Sequence, residues 1–438
     1  MGAGSIRRRG AWLLGIAAVV MAGCGGGSGN SGNGTAGKPD SYGGTPGGLV
    51  TALTAFMAGD GQSLLPDRKG GQYFTPIKPA TDEMIARLKA PAGFKVDAWA
   101  KGLGNPRMMA VGPDGAIYVT RPATGEVIAL RDADGNGTAD KPQTVVRLPG
   151  VHGIYIHEGT KMYLATVGEA FVCDIEAGKV GKPHKIVEKM PTASGHHNRT
   201  LAIGPDGRLY ITVGSTCNCC WEKNPENATM LVAAADGSDR RVFARGLRNT
   251  IGFGWHPQTR QLWGMDHGID WLGADEPPEE LNHIEEGKHY GWPFVYGDRK
   301  TIPIERHEAV GSLKEFAGTT QPPALALQAH SSPLAMVFYT GGQLGDEYRN
   351  DAFLALHGSW NRASPVGYKV VRIRFKDGKP AGYEDFLSGF LVTDGDRPYT
   401  FGRPAGLAVM KDGSLLVGDD ENGVIYRISR RPNDPSVP

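Results

Sequence analysis

Three stretches of the chain repeat one pattern of apolar and polar positions over eleven residues: Met109 to Val119, Leu201 to Ile211 and Leu407 to Val417. Each reads as an apolar run, an Asp-Gly turn (Asp114-Gly115, Asp206-Gly207, Asp412-Gly413) and a second apolar run, which is the signature of a β-hairpin. Looser copies begin at Ile154 and Phe253, and one with a longer turn begins at Leu334. Successive starts lie 45, 47, 52, 81 and 73 residues apart. The first three spacings fit a four-stranded propeller blade of about 40 to 50 residues; the last two require insertions, chiefly over residues 270 to 330. Six such units on a ring protect their strand edges and enclose a central channel. The pattern therefore predicts an all-β fold, a six-bladed β-propeller with inserted loops, in a domain over residues 94–438. A β-sandwich of repeated hairpins would have no sixfold period. Residues flanking the hairpins carry most functional weight, because loops meet the axis there.

Composition supports the turn-rich reading and closes off other classes. Of 64 glycines, 48 lie in residues 49–438, about 12% against a usual level of about 7%. Lys+Arg number 47 and Asp+Glu 46, which excludes a basic nucleic-acid binder. A hydrophobic share of 40% excludes a largely disordered chain or one with many membrane spans.

The amino terminus has the layout of an export signal: Arg7-Arg8-Arg9, an apolar run from Ala11 to Met21 too short to span a bilayer, then Ala22-Gly23-Cys24. The small residues before Cys24 resemble the lipobox of bacterial lipoproteins, in which the Cys thiol is lipidated and becomes the new terminus; a plain cleaved signal is the alternative. Loss of residues 1–23, with three arginines and no acid, turns a net charge of +1 into −2. Residues 24–48 then form an anchor Cys and a Gly/Ser-rich spacer, unable to bury a core. Residues 49–93 form an N-terminal extension with one short helix over 49–57. These segments predict an extracytoplasmic protein tethered to the envelope by lipid alone.

An oxidising compartment makes disulfides the default for Cys173, Cys217, Cys219 and Cys220. The ring closed by Cys217 and Cys220 is preferred to a strained vicinal Cys219–Cys220 bond. A single C-x-x-C pair argues against a structural zinc site, and Trp221 follows where a c-type haem motif needs His. Any electrons must leave to a separate carrier.

Several clusters carry candidate chemistry, each with a plain structural alternative. His196 and His197 lead into the third repeat, as general bases or as turn and core residues. Arg248-Asn249 leads into the fourth, as an anion-binding fork or as a salt bridge and a turn. Asp266-His267-Gly268-Ile269-Asp270, with Asp275, Glu276, Glu279 and Glu280 after it, suits an oxygen-ligated cation such as Ca²⁺ or a solvated acidic loop. Asp132-Ala133-Asp134-Gly135-Asn136-Gly137 opens like an EF-hand loop, but position 12 is Gln143. It reads as a hairpin turn between blades, with or without a weakly held ion.

In order, His196 to Arg199, Gly246-Leu-Arg248-Asn249, Asp266-His267-Gly268, Glu279-Glu280-Leu-Asn and Gly287-Lys-His-Tyr290-Gly-Trp-Pro resemble the glucose/sorbosone dehydrogenase family. Glu226 to Val232, Leu327 to Pro333 and His357 to Arg362 resemble its sorbosone dehydrogenase-like branch. The resemblance implies a six-bladed propeller that oxidises a sugar using pyrroloquinoline quinone (PQQ) and calcium, and that passes electrons to an external cytochrome or quinone pool. It implies that His196 is the general base and that Arg248, Asn249 and His267 contact the cofactor. Arg403 and Arg362 would meet cofactor carboxylates. Gly268 and Ile269 would hold the catalytic calcium through their carbonyls; Glu280, Tyr290 and Asp298 would hold a second, structural calcium. His330 and Glu279 fall at substrate positions. Competing readings are a calcium-dependent lactonase-type propeller, whose axial ion is held by Glu, Asn and Asp side chains, and a binding propeller without catalysis.

Overall fold

A computed structural model of the protein describes residues 63–65, 73–192 and 195–431. The export leader, Cys24, the spacer and the helix expected over 49–57 lie outside them.

The described strands include six antiparallel blades of four strands in line, the second with the short strand Lys179–Val180 added, so the fold is a six-bladed β-propeller. The innermost strands are Met109–Val111, Gly153–His157, Leu201–Ile203, Thr250–Trp255, Pro333–Phe338 and Pro404–Val409. Four start within one residue of the hairpin pattern's positions, at 109, 154, 201 and 334. Blades 4, 5 and 6 differ in one respect: register breaks between Thr250 and Phe253, Pro333 and Met336, and Pro404 and Leu407. A bulge interrupts the alternation, so in blades 4 and 6 the sequence pattern begins only after it.

The Asp-Gly turns are built alike. Gly115, Gly207 and Gly413 take φ of 84°, 77° and 86°, a region that side chains with a Cβ avoid. Asp114, Asp206 and Asp412 each accept the backbone N–H two residues on, at 2.9–3.2 Å. The middle strands are buried throughout, as in Leu209–Val213 and Leu415–Asp419, because neighbouring blades cover both faces. Continuous apolar runs follow from that double burial.

The ring closes through its two ends. Phe94–Ala100 pairs antiparallel with Val424–Arg430 and becomes the outer strand of blade 6. The large insertion falls inside blade 4, between Glu279–His283 and Leu325–Leu327, and carries the helix Leu313–Thr319 capped by Ser312. The Asp132–Asn136 loop joins Glu126–Leu130 to Gln143–Arg147 within blade 1 rather than between blades. Gln143 is already strand, so it cannot close a twelve-residue ion loop. Before blade 6, the N-terminal extension crosses loops at one mouth of the ring: Leu64 donates to Cys219 O and Tyr73 to Trp360 O.

Hydroxyl groups clip adjacent blades together. Thr120 Oγ1 donates to His152 O at 2.9 Å and Thr200 Oγ1 to Ile251 O at 2.7 Å, all in buried positions. Replacing Thr200 by Val strands a buried carbonyl. Thr200→Val should lower the unfolding free energy in urea by about 1–3 kcal/mol.

Candidate active site

Buried charge gathers one or two residues before the inner strands of blades 1, 4 and 6. Arg107, Arg248 and Arg403 precede blades 1, 4 and 6, and all three line one cavity together with His196, Asn249, His267, Gly268, Asp270, Glu279, His330, His357, Trp360 and Asn361.

In blades 1, 3, 4 and 6 a side chain near the end of the second strand fixes the backbone at the entrance to the first. In blade 4, Asp266 accepts the N–H groups of Arg248 and Asn249, both at 2.8 Å, and the Thr250 hydroxyl at 2.9 Å. In blade 6, Asp419 does the same for the Arg403 N–H at 2.9 Å. Thr120 and Thr212 hold the N–H groups of Met108 and Thr200 at 3.0 and 3.1 Å. Burial raises the pKa of Asp266 to about 6 and of Asp419 to about 7, against the pull of these N–H groups.

Each guanidinium is held differently. Arg107 pairs with buried Asp420, which also accepts His357 Nε2 at 2.8 Å. Burial alone would raise Asp420, but His357 and Arg107 hold it at about 2. Arg248 pairs with Asp270 at 2.8 Å and donates to Asn218 O and Oδ1 at 3.0 and 2.8 Å. Arg403 donates to the carbonyls of His357 and Gly358 at 3.1 and 2.9 Å; among the described residues it has no carboxylate within salt-bridge distance. A buried cation whose hydrogen bonds go to carbonyls, with no carboxylate in contact, suits an anionic ligand.

His196 is buried against blade 3. Burial, then the nearby Arg248 and His267, keep its imidazole well below the ordinary 6.5. It is therefore neutral near pH 7 and able to take a proton. Arg199, buried and lowered to about 10 by desolvation, stays cationic and donates to the carbonyls of His196, Pro191 and Val167, pinning the segment that carries His196. Gly214 lets this happen: a Cβ there would lie 2.5 Å from His196 Cβ and 3.1 Å from Asn249 Oδ1.

The other side of the cavity is a chain of hydrogen bonds. His267 Nε2 donates to Pro333 O, while Asn249 Nδ2 donates to its Nδ1 at 3.2 Å. His330 Nε2 donates to Gly273 O at 2.7 Å, and its Nδ1 accepts Asn361 Nδ2 at 3.2 Å. Glu279 accepts Gly268 N–H and Ser332 N–H, both at 2.9 Å, and burial lifts its pKa to about 7.

For the remaining expected site residues, Gly268 lies in the lining and Ile269 is buried beside it. Among the described residues no donor reaches their carbonyls, so both oxygens are available to a hard cation. Buried Glu280 accepts the Gly297 N–H at 2.6 Å, next to exposed Asp298, and burial raises it to about 8. The Tyr290 side chain turns elsewhere, donating to His283 O at 2.5 Å. Arg362 lies outside the lining, paired with Asp275 at 3.2 Å, and its Nε and Nη1 are buried without a partner among the described residues. Cys217 and Cys220 form a disulfide, while Cys173 and Cys219 are buried thiols.

Sequence reasoning missed Arg107, His357 as a lining residue, Asp420 and Ser215. Position was the available signal for Arg107: Asn105-Pro106-Arg107 stands just before its blade, as Gly402-Arg403 does.

The TrAA12-like family model matches residues 88–431. The chain belongs to this family of PQQ-dependent sugar dehydrogenases. An uncharacterized protein of Borreliella burgdorferi is 31% identical over 80% of the chain and 93% of that protein. A PQQ-dependent pyranose dehydrogenase of Coprinopsis cinerea is 32% identical over 80% of the chain, which spans 56% of that longer protein. The solved holo form of the PQQ domain of pyranose dehydrogenase from Coprinopsis cinerea aligns with a TM-score of 0.65 at 22% identity, over 78% of this chain and 97% of that one. Membership of a sugar dehydrogenase family sets aside the lactonase-type and purely binding alternatives.

Asp419 gives a pH test of how the Arg403 backbone is held. Its folded pKa is raised, so its protonated form favours folding; that contribution is present below about pH 4 and is lost as pH rises through about 7. Asp419→Asn removes the titration and keeps an acceptor. Its stability relative to the parent protein should therefore rise between pH 4 and pH 7, measured as urea midpoints in parallel.

Proposed function

We propose that this chain is an extracytoplasmic dehydrogenase that oxidises an aldose or related aldehyde-bearing sugar, with PQQ and Ca²⁺ as cofactors and an external electron acceptor. One observation carries the reading: three buried guanidiniums and a neutral histidine share one cavity. PQQ has three carboxylates, and Arg107, Arg248 and Arg403 are the residues that would hold them. The carbonyls of Gly268 and Ile269 would hold the metal. When bound, the pair supplies a two-electron acceptor whose quinone oxygens are polarised by calcium.

The protein's own part is to bind, orient and move a proton. His196 takes the proton of the sugar hydroxyl as hydride leaves its carbon. Arg248 and Asn249 stabilise the negative charge that develops at the acceptor. Ile251, Leu334 and Trp360 give the cavity apolar walls, which strengthens these polar contacts by excluding water. Lipid anchoring through Cys24, a sorbosone-type substrate and the second calcium at Glu280, Tyr290 and Asp298 are further parts of the proposal. They rest on sequence resemblance.

Reconstitution tests the reading. Purified apoprotein given PQQ and Ca²⁺ should acquire quinone absorbance and reduce a dye with one or more of a panel of aldoses and sorbosone; no quinone uptake would defeat it. Arg403→Leu removes one charge-assisted contact and should weaken quinone binding about 10- to 100-fold. His196→Ala should keep the quinone and lose about 10²- to 10⁴-fold in kcat. Because the His196 pKa is depressed, the acid limb of the kcat/KM profile should fall below pH 6.5.

A further inference from the structure

Ser215 is fully buried beside the base and makes four directed contacts. Its N–H donates to Arg248 O at 2.8 Å, and its carbonyl accepts the His196 N–H at 2.9 Å. Its hydroxyl lies 2.8 Å from His196 Nδ1 and 2.7 Å from Cys217 O. A carbonyl oxygen can only accept, so the single hydroxyl proton of Ser215 goes to Cys217 O. Towards His196 the same oxygen must then act as acceptor. Nδ1 of His196 therefore carries the ring proton, and Nε2 is the basic nitrogen.

That is the minor tautomer of free imidazole, so the protein has to select it. The acceptor that selects it depends in turn on Cys217, whose carbonyl is the first in the ring closed by the Cys217–Cys220 disulfide. Asn218 in the same ring receives Arg248 Nε on its carbonyl and Nη2 on its side-chain oxygen. One covalently closed turn thus touches both the base and the cation opposite it. The next residue after Ser215 ties the turn down, since Thr216 donates through N–H and hydroxyl to Glu222 at 2.6 and 2.9 Å.

We propose that Ser215 is a positioning residue, which fixes His196 in its Nδ1-protonated tautomer, and that the Cys217–Cys220 turn holds Ser215 in place while seating Arg248. The role rests on the dehydrogenase reading, in which Nε2 must be the nitrogen that receives the hydroxyl proton. With the wrong tautomer the ring offers an N–H where a lone pair is needed, and the proton has nowhere to go. No other titratable side chain hydrogen-bonds to Ser215 among the described residues, so the selection is steric and directional rather than ionic.

The test has a spectroscopic arm and a kinetic arm. Long-range ¹H–¹⁵N spectra of full-length apoprotein labelled at histidine, with the His196 signals identified from their loss in His196→Gln, report which nitrogen is protonated. The parent protein should show Nδ1–H, and Ser215→Ala should move His196 towards Nε2–H. In the reconstituted enzyme Ser215→Ala should lower kcat roughly 10- to 100-fold, with KM and the quinone Kd held within about twofold. An Nε2–H signal in the parent protein overturns the proposal without recourse to any variant. So does an unchanged tautomer, or an unchanged kcat, in Ser215→Ala. Failure of the parent protein to bind quinone or oxidise any sugar would instead defeat the dehydrogenase reading, while the spectra would still decide the tautomer.

Discussion

Three guanidinium groups in one buried cavity are the constraint to which the rest of the architecture answers. A cation taken out of water costs several kcal/mol unless hydrogen bonds and counter-charge replace its hydration. Arg107 and Arg248 each have a carboxylate, in Asp420 and Asp270. Arg403 has backbone carbonyls of the His357–Gly358 loop. The cavity is thereby built to accept negative charge, and His196, His267 and His357 are kept neutral by burial in the same field.

The propeller supplies this at low conformational cost. Blades 1, 3, 4 and 6 repeat one local device: a side chain near the end of the second strand holds the backbone at the entrance to the first. Where the holding residue is a carboxylate, as with Asp266 and Asp419, the residue held is an arginine that lines the cavity. Where it is a threonine, as with Thr120 and Thr212, it holds the N–H just after a buried arginine. A rigid, doubly covered sheet behind every axial side chain is what lets contacts such as His196 to Ser215 keep their directionality.

Much of this was legible in the chain because the hairpin turns demand particular residues. Asp-Gly recurs in three hairpins where the backbone must enter positive φ, and the spacing of the six hairpin starts counted the blades. The bulges before Phe253 and Leu407 displaced two of the starts, since a bulge leaves no alternation to read. Arg107 escaped notice because it belongs to no repeated motif; only its place before a blade marks it. Arg362 was expected near cofactor carboxylates, yet it turns to Asp275, which no spacing rule could foretell in a loop. Ser215 was invisible because its meaning lies in the direction of one hydroxyl proton, set by a carbonyl two residues on. The outer strand Phe94–Ala100 was likewise silent on its partner, which lies at the far end of the chain.

The central claim is that Arg107, Arg248 and Arg403 together form the seat of a polyanionic cofactor. A crystal structure of the full chain grown with PQQ and Ca²⁺ tests it most directly. The account predicts quinone density in this cavity, its carboxylates on the three guanidiniums and His196 facing the remaining open space. A cavity holding only solvent at saturating quinone, or a quinone bound elsewhere on the propeller, would contradict it.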